Sequence, residues 1–480
     1  MSSQQVDVAI IGSGAGGLTS GLLLALTGRR VVVIERNRQP GGMMRSYRRE
    51  GFDCPVGIHY LGALDEGQPL RRFFDAFGVT GRIPLERMGD GVPVDRYRIG
   101  DFSFELPSGL EAFGHALEKA FPGEGAATGQ ILADLRQAWS RMENLGFLFD
   151  SEGDRAPLKS HSAEKEFTSL GCSSELAHTL AMSTAWFGVP WKSCPISFLY
   201  MTLASYLASS WRLACSGARF ADVLADRLRE LGGEILCGDP CVGIDIESGA
   251  ATGVRCASGR AVRAPVVVAA VHPQRMLDLL PSGAVKVSYA NRIRGLENTG
   301  SAVCLQAAVP AGSHPGLPFN VLSWPPPFDE RGIRFLQLHP EPGRPFSLLT
   351  VLKYGWWSEW ERFQRREPPY REAKARAAAQ LVAEAESLLG PLPGLRILDF
   401  YTPLTIQDWV DSPQGSAYGV MRSVNQRFQA ALLNRTPVKG LFAAGQSVLA
   451  PGILGSSLGS AQTAMLIAGK DTVARVLALG

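Results

Sequence analysis

Gly12-Ser13-Gly14-Ala15-Gly16-Gly17 stands between two runs of Val and Ile, and the second run ends on a carboxylate, Glu35. Glycines at this spacing do one kind of chemistry well: they bring bare backbone against phosphate oxygens. Gly12 permits a tight turn, Gly14 leaves room for a pyrophosphate, and Gly17 lets a helix pack closely on a strand. Ala15 and Gly16 lie at the helix start, where free N–H groups and a partial positive charge attract anions. Glu35 is placed to accept hydrogen bonds from a ribose.

The elements needed to hold these residues are present. Val6 and Val8 to Ile11 read as a strand, Leu18 to Thr27 as a helix, and Val31 to Ile34 as a second strand. Strand, glycine turn, helix, strand and acid in this order form a dinucleotide-binding fingerprint in its required context.

Bulk properties narrow the function classes. With 480 residues, 45% hydrophobic and 19% charged, the chain is expected to form two domains or one large two-lobed unit. A net charge of +3 gives no expectation of a nucleic-acid partner. Eight cysteines are scattered; Cys237 and Cys241 form the one close pair, and no second pair completes a zinc site. Free thiols, no metal and a cytoplasmic location are therefore expected. The N-terminus runs directly into a strand, so no signal peptide is expected. Ser193 to Trp211 lacks charge but carries several serines. It reads as a buried or substrate-lining helix rather than a segment dipping into a membrane.

The pattern changes along the chain. After residue 70, helical spacing dominates over Leu70 to Phe77, Gly109 to Ala120, Gly129 to Phe149 and Ala163 to Leu180. Arg219 to Leu231 is amphipathic and ends at Gly232-Gly233. Short strands follow over Glu234 to Cys237, Val242 to Glu247, Gly253 to Cys256 and Arg260 to Arg263, with a buried one at Pro265 to Ala270. Ser301 to Val309, Arg334 to Leu338 and Phe346 to Lys353 suggest an antiparallel sheet, followed by a charged helix over Tyr370 to Leu389. Gly440 to Gln446 is a strand entering a glycine turn, and Ile453 to Leu477 a long helix.

Several further motifs carry a family resemblance. Arg36 to Ser46 contains the diglycine Gly41-Gly42; Gly57-Ile58-His59-Tyr60-Leu61-Gly62 follows; Thr402 to Gly419 and Gly440 to Gly455 lie near the end. Together they resemble the FAD-dependent phytoene desaturase, carotenoid isomerase and all-trans-retinol saturase-like flavoproteins. The resemblance implies an α/β fold: a Rossmann-like FAD-binding domain of the amine oxidase and phytoene desaturase type, assembled from discontinuous segments, with an inserted α+β substrate domain. The expected division is 1–70, 215–285 and 401–480 for the FAD-binding domain, with 71–214 (helical) and 286–400 (antiparallel sheet) for the substrate domain.

It also implies FAD as the resident cofactor, held by the loop residues above together with Arg36, Gly41, Gly42, Met43, Arg45, Gly57, Val242, Gly445, Gln446, Gly452, Ile453 and Leu454. The single complete fingerprint agrees with one resident dinucleotide. The helix near Ile453 can aim N–H groups at the pyrimidine side of the flavin. Two departures stand out. Met43 follows the diglycine where amine oxidases usually carry Arg, and Pro55 occupies the place of an acid in the saturase pattern, although Asp53 is near.

Such a flavoprotein moves a hydride at flavin N5. An elongated apolar pocket is expected from Trp186, Phe187, Trp191, Phe198, Tyr200, Tyr206 and Trp211, and from a second cluster of Tyr354, Trp356, Trp357 and Trp360. His59 and Tyr60 are the catalytic acid–base candidates; a histidine can protonate a carbanion near neutral pH, and a purely structural role for His59 stays open. His339 and Tyr354 are weaker candidates. Ser456 and Ser457 suit flavin contacts, since no GxSxG elbow surrounds them.

The expected activity is hydride transfer to an extended polyene. Saturation or reductive cyclisation of a bacterial polyene natural product, as in polycyclic tetramate macrolactam pathways, is favoured. NADPH is expected as a transient hydride donor, and peripheral membrane contact as a secondary feature; oligomeric state is left open. The alternatives are carotenoid or phytoene desaturation, carotenoid cis–trans isomerisation, amine oxidation, and a non-catalytic prenyl-binding escort of the same architecture.

Overall fold

The computed structural model describes residues 4–149, 159–340 and 343–478. Val8–Ile11, Val266–Ala269 and, up to its final carboxylate, Val31–Glu35 are apolar runs, which are stable as strands where both faces are covered. They form the centre of a five-stranded parallel sheet. Its order is Glu234–Cys237, Val31–Glu35, Val8–Ile11, Val266–Ala269, Leu441–Ala443. Strands from widely separated parts of the chain thus lie side by side, with both ends of the polypeptide contributing.

One face of this sheet is covered by the helices Ala15–Leu26, Gly217–Glu230 and Gly452–Ala468. Leu18, Leu22 and Leu24 pack with Phe220, Leu224, Leu228 and Leu458 in one cluster. Each such leucine contributes about 1.5–3 kcal/mol by leaving water. Ser216 caps the second helix, its hydroxyl accepting from the Arg219 N–H. The other face carries Ala9, Ile11, Val32 and Ile34, which meet Ile244, Val254 and Val262 of a small four-stranded sheet.

The second half is a seven-stranded sheet. Its order is Arg396–Tyr401, Ser301–Pro310, Phe346–Gly355, Arg334–Pro340, Asn320–Trp324, Asp95–Ile99, Phe102–Leu106. The helix Pro368–Leu389 covers one side through Ala378, Leu381 and Ala385. Helices between residues 110 and 208 pack on Tyr97, Phe104, Leu322 and Trp324.

Several elements differ from expectation. Leu85–Met88, Asp95–Ile99 and Phe102–Leu106 are strands inside a stretch read as helical. Their alternating burial has the period of two that sheets impose, and the runs are too short to stand out between longer helices. Asp95–Ile99 pairs in parallel with Asn320–Trp324, tying the two inserted stretches into one sheet. The helix expected over Leu70 to Phe77 is present as Pro69–Phe77, and it turns Leu70, Phe73, Phe74 and Phe77 into the core beneath the parallel sheet's helices. The long C-terminal helix breaks at Gly469, whose φ of +91° ends Gly452–Ala468 before Lys470–Ala478 begins. Ser193 to Trp211 is a helix only over Ile196–Ala208 and then joins a strand, Ser210–Leu213. Among the described residues, no helix is long and apolar enough to cross a membrane.

Candidate active site

The glycine loop leaves the strand Val8–Ile11 and enters the helix Ala15–Leu26. Gly12 has φ +94°, a conformation few side chains tolerate. A Cβ on Gly17 would lie 1.8 Å from the Gly12 carbonyl oxygen, so this glycine sets the helix–strand contact. Gly14 is different: the nearest atom to a Cβ there is the Gly42 Cα, 4.0 Å away. It lines an open cradle at the helix N-terminus, beside Ala15 and Gly16. The absence of a Cβ at Gly14 therefore keeps free a space that no protein atom fills, as a bound pyrophosphate requires.

Both ends of the chain build this cradle. A Cβ on Gly42 would lie 3.0 Å from Gly14 Cα, and Gly42 itself has φ +54°. The Gly41 N–H donates to the Ser13 carbonyl at 3.0 Å. Gly16 abuts Gly445, which turns at φ +90°. Gly445, Gln446, Gly452, Ile453 and Leu454 continue the wall.

Glu35 is 5% exposed and lines the same cavity. Its Oε2 accepts from Ser13 N–H (3.0 Å) and Ser13 Oγ (2.5 Å); its Oε1 accepts from Asn37 N–H (2.8 Å) and Nδ2 (2.9 Å). These four bonds fill the carboxylate, so any further hydroxyl would bond there only by displacing a side-chain donor, Asn37 Nδ2 or Ser13 Oγ. Arg36 also lines the cavity and is anchored by the Asp408 carbonyl and the Asp411 carboxylate.

Four expected cofactor residues lie elsewhere. Val242 is 52% exposed and off the cavity wall. Cys241 before it lines the cavity, and strand alternation turns Val242 to the other face. Arg45 stacks over Trp409 at 4.7 Å and donates from Nε to the Gly42 carbonyl (3.0 Å). It braces the diglycine from behind; Gly41 faces Ala221 and Arg45, and Gly17 packs the helix, so none of these three is on the wall.

The cradle opens into one cavity of about 1060 Å³. Met43, Gly57, His59 and Tyr60 lie along it, and Trp186, Phe187, Phe198, Tyr206, Phe335 and Tyr354 form its aromatic portion. A Cβ on Gly57 would fall 3.1 Å from Met43, so that pair is tightly seated. The helix Ile196–Ala208 supplies Phe198, Met201 and Ser205 to the lining. Ser456 is also on the wall, whereas Ser457 lies between helices near Thr19 Oγ1 (3.4 Å).

The aromatic expectation needs correction. Trp360 packs against Phe363, Tyr370 and Phe400 under the long helix Pro368–Leu389, and Trp356 and Trp357 are off the wall. Trp191 stacks with Phe167, Trp211 donates to Asp65 at 2.9 Å, and Tyr200 lies in the helical core. Of the second predicted cluster, only Tyr354 faces the cavity. Neighbouring aromatics in a sequence point to different sides of a strand or helix, and spacing does not reveal which side meets the hollow.

His59 packs on Phe335 (5.2 Å), and its Nδ1 is buried without a partner. Burial pulls its pKa down to about 4. The ring is thus neutral near pH 7, so the expected imidazolium acid is absent. His339 has both ring nitrogens buried and unpartnered, and burial holds its pKa at about 3. It stands off the cavity wall.

Tyr60 has the better-organised surroundings. Its hydroxyl donates to Asp95 Oδ2 at 3.0 Å, and Asn320 Nδ2 donates to Asp95 Oδ1 at 2.7 Å. Asp95 is wholly buried, which pushes its pKa up to about 7. Asp95 was not among the residues expected from the sequence. The available signal was a charged residue on the inward register of Asp95, Tyr97 and Ile99.

Residues 10–77 match the family model of an NAD(P)-binding Rossmann-like domain. The chain is 25% identical over 533 residues to the all-trans-retinol 13,14-reductase of Danio rerio, covering 95% of this chain and 85% of that one. It is 25% identical over 312 residues to a 4,4'-diapophytoene desaturase (4,4'-diapolycopene-forming) of Methylomonas sp, covering 58% and 56%. In fold, it superposes on a triple mutant of putrescine oxidase with a TM-score of 0.66 at 14% identity, covering 100% of both chains. The motifs, the α/β architecture and these likenesses agree: the chain is a flavin-dependent oxidoreductase that resembles the phytoene desaturase, carotenoid isomerase and all-trans-retinol saturase-like proteins.

Proposed function

We propose that this protein binds FAD and reduces an extended, conjugated hydrophobic substrate. One observation carries the proposal: the glycine cradle and the aromatic wall belong to a single continuous cavity. A dinucleotide seated at Gly12, Gly14, Ala15 and Gly16 extends toward the residues that face an apolar guest. Glu35 receives the adenosine ribose. Met43, Gly57, Gln446, Gly452, Ile453 and Leu454 hold the ring end. Bound FAD supplies hydride transfer at N5. The protein's own residues shape the rest. Trp186, Phe335 and Tyr354 offer flat faces to a polyene and exclude water.

The FAD-binding unit then comprises 1–70, 215–285 and 401–480, and the substrate unit 71–214 and 286–400. Relatives named as a retinol reductase and a diapophytoene desaturase favour a polyene as the substrate class. Reduction is preferred over desaturation because the full-length similarity is to a reductase. A bacterial polyene that undergoes saturation or reductive ring closure fits best, with NADPH as the visiting hydride donor.

The deciding experiment is anaerobic incubation with candidate polyenes, with and without NADPH, followed by product mass measurement. A gain of two hydrogens supports reduction. An unchanged mass with altered geometry assigns isomerisation, and a loss of two hydrogens assigns desaturation.

A further inference from the structure

Reducing a carbon–carbon double bond adds a hydride and a proton, and the neutral His59 is a poor source of the proton. The Tyr60 ring lies in the aromatic wall, parallel to Phe335 (6.0 Å, 6°) and beside Tyr206 (4.9 Å). Its hydroxyl reaches Asp95 on the strand Asp95–Ile99.

The protonation pattern of this pair follows from its hydrogen-bond chain. The His59 carbonyl can only accept, so the Gln337 atom 3.3 Å from it is the amide nitrogen. That same nitrogen donates to Asn320 Oδ1 at 2.7 Å. Asn320 therefore turns its own NH2 to Asp95 Oδ1. With Oδ1 facing a donor, a proton on Asp95 belongs on Oδ2, the oxygen that faces Tyr60. In that state the carboxylic acid donates to the phenol oxygen, and the phenol O–H is released from Asp95.

We propose that Asp95 is a buried proton reservoir that acts through Tyr60, making the Tyr60 hydroxyl the donor of the second hydrogen added to the substrate. This rests on the reduction proposed above. Once a hydride has been added, the carbanion's electron pair forms a C–H bond with the Tyr60 proton as the O–H bond breaks. The phenol oxygen takes the proton from Asp95 Oδ2, leaving a carboxylate. The substrate has gained two hydrogens, the flavin has been oxidised, and Asp95 regains one proton from water before the next turnover. The nicotinamide donor restores the flavin.

The surroundings leave Asp95 as the group that titrates. Tyr97 on its own strand and Tyr206 on the helix Ile196–Ala208 are raised by burial and stay neutral. His59 and His339 are lowered by burial and stay neutral above pH 5. Arg212, on the strand Ser210–Leu213, stays cationic, with Nε and Nη2 buried and unpartnered. It is the cation that acts on Asp95 and moderates the upward shift. As pH rises through about 7, Asp95 ionises, the Tyr60 proton turns back to the carboxylate, and the donor is withdrawn.

The test combines infrared spectroscopy of the flavin-loaded protein with pH–rate profiles of wild type, Asp95→Asn and Tyr60→Phe. The wild type is expected to show a protonated-carboxyl band that fades between pH 6 and 8, and a reduction rate that falls about tenfold per pH unit above the midpoint. Asp95→Asn removes both the band and the falling limb while flavin stays bound. Tyr60→Phe, which keeps the ring, retains the band and slows product formation about a hundredfold or more. A wild type without the band overturns the reservoir whatever the activity, and needs no variant to fold. An unchanged falling limb in Asp95→Asn overturns it as well. A titrating band without reduction of any polyene instead overturns the proposed reduction, and the donor role with it.

Discussion

A Cβ added to Gly16 would fall 2.4 Å from the Cα of Gly445. Two residues from opposite ends of the chain are thus in backbone contact at the floor of one cradle. Contact this close explains why Gly16 is a glycine: it is where the two ends meet on the cradle wall. Gly16→Ala is expected to push the two segments apart and cost about 1–3 kcal/mol of stability. Thermal melting should show a lowered Tm together with weaker flavin retention.

Gly14 makes the complementary prediction. Its backbone is extended, at φ −65° and ψ −175°, and a Cβ meets nothing closer than 4.0 Å. Gly14→Val should therefore fold with a nearly unchanged Tm but lose flavin, because its side chain enters the space for the pyrophosphate. Visible absorbance of the purified variant reads this directly. Full flavin content would remove the cradle from the account.

Stability should depend on pH with a definite sign. His59, His272 and His339 are lowered by burial to about 4, 4 and 3. Between pH 4 and 6.5 the unfolded chain binds their protons and the folded one does not, so each histidine makes stability rise with pH. Asp95, raised to about 7, acts in the opposite sense, because the folded state keeps its proton. Three groups outweigh one. Denaturant melts should show stability rising by about 2 kcal/mol per pH unit from pH 4.5 to 5.5. A flat profile would contradict the burial of these rings.

The aromatic wall predicts a substrate effect separable from the cofactor. Trp186 packs on Tyr206 at 4.4 Å and both line the cavity. Trp186→Ala should raise KM for a polyene by about tenfold, with kcat and flavin absorbance little changed. A fall in kcat at unchanged KM would place Trp186 in the chemical step.

What the sequence made legible follows from the range of each interaction. The loop at Gly12 to Gly17 is dictated by local geometry, and glycine spacing declares it. The parallel sheet's central strands are declared by continuous apolar runs such as Val31 to Ile34. The hairpin at 95–106 was hidden because its partner, Asn320–Trp324, lies far along the chain, and no local pattern announces that pairing. Asp95 was hidden for the same reason: its significance comes from Tyr60 and Asn320, which the fold alone brings to it. Val242 and Trp360 show the limit of periodicity, which separates two faces without saying which one is hollow. The loss of charge at His59 comes from burial, and a sequence gives no depth.

Single-turnover spectroscopy tests the central claim most directly. The flavin of the purified, fully reduced protein is mixed anaerobically with a conjugated polyene, and absorbance and product mass are followed together. The account predicts that oxidised flavin reappears in step with a product heavier by two hydrogens. Flavin that stays reduced with every polyene offered, or a protein that cannot be loaded with FAD at all, would contradict it.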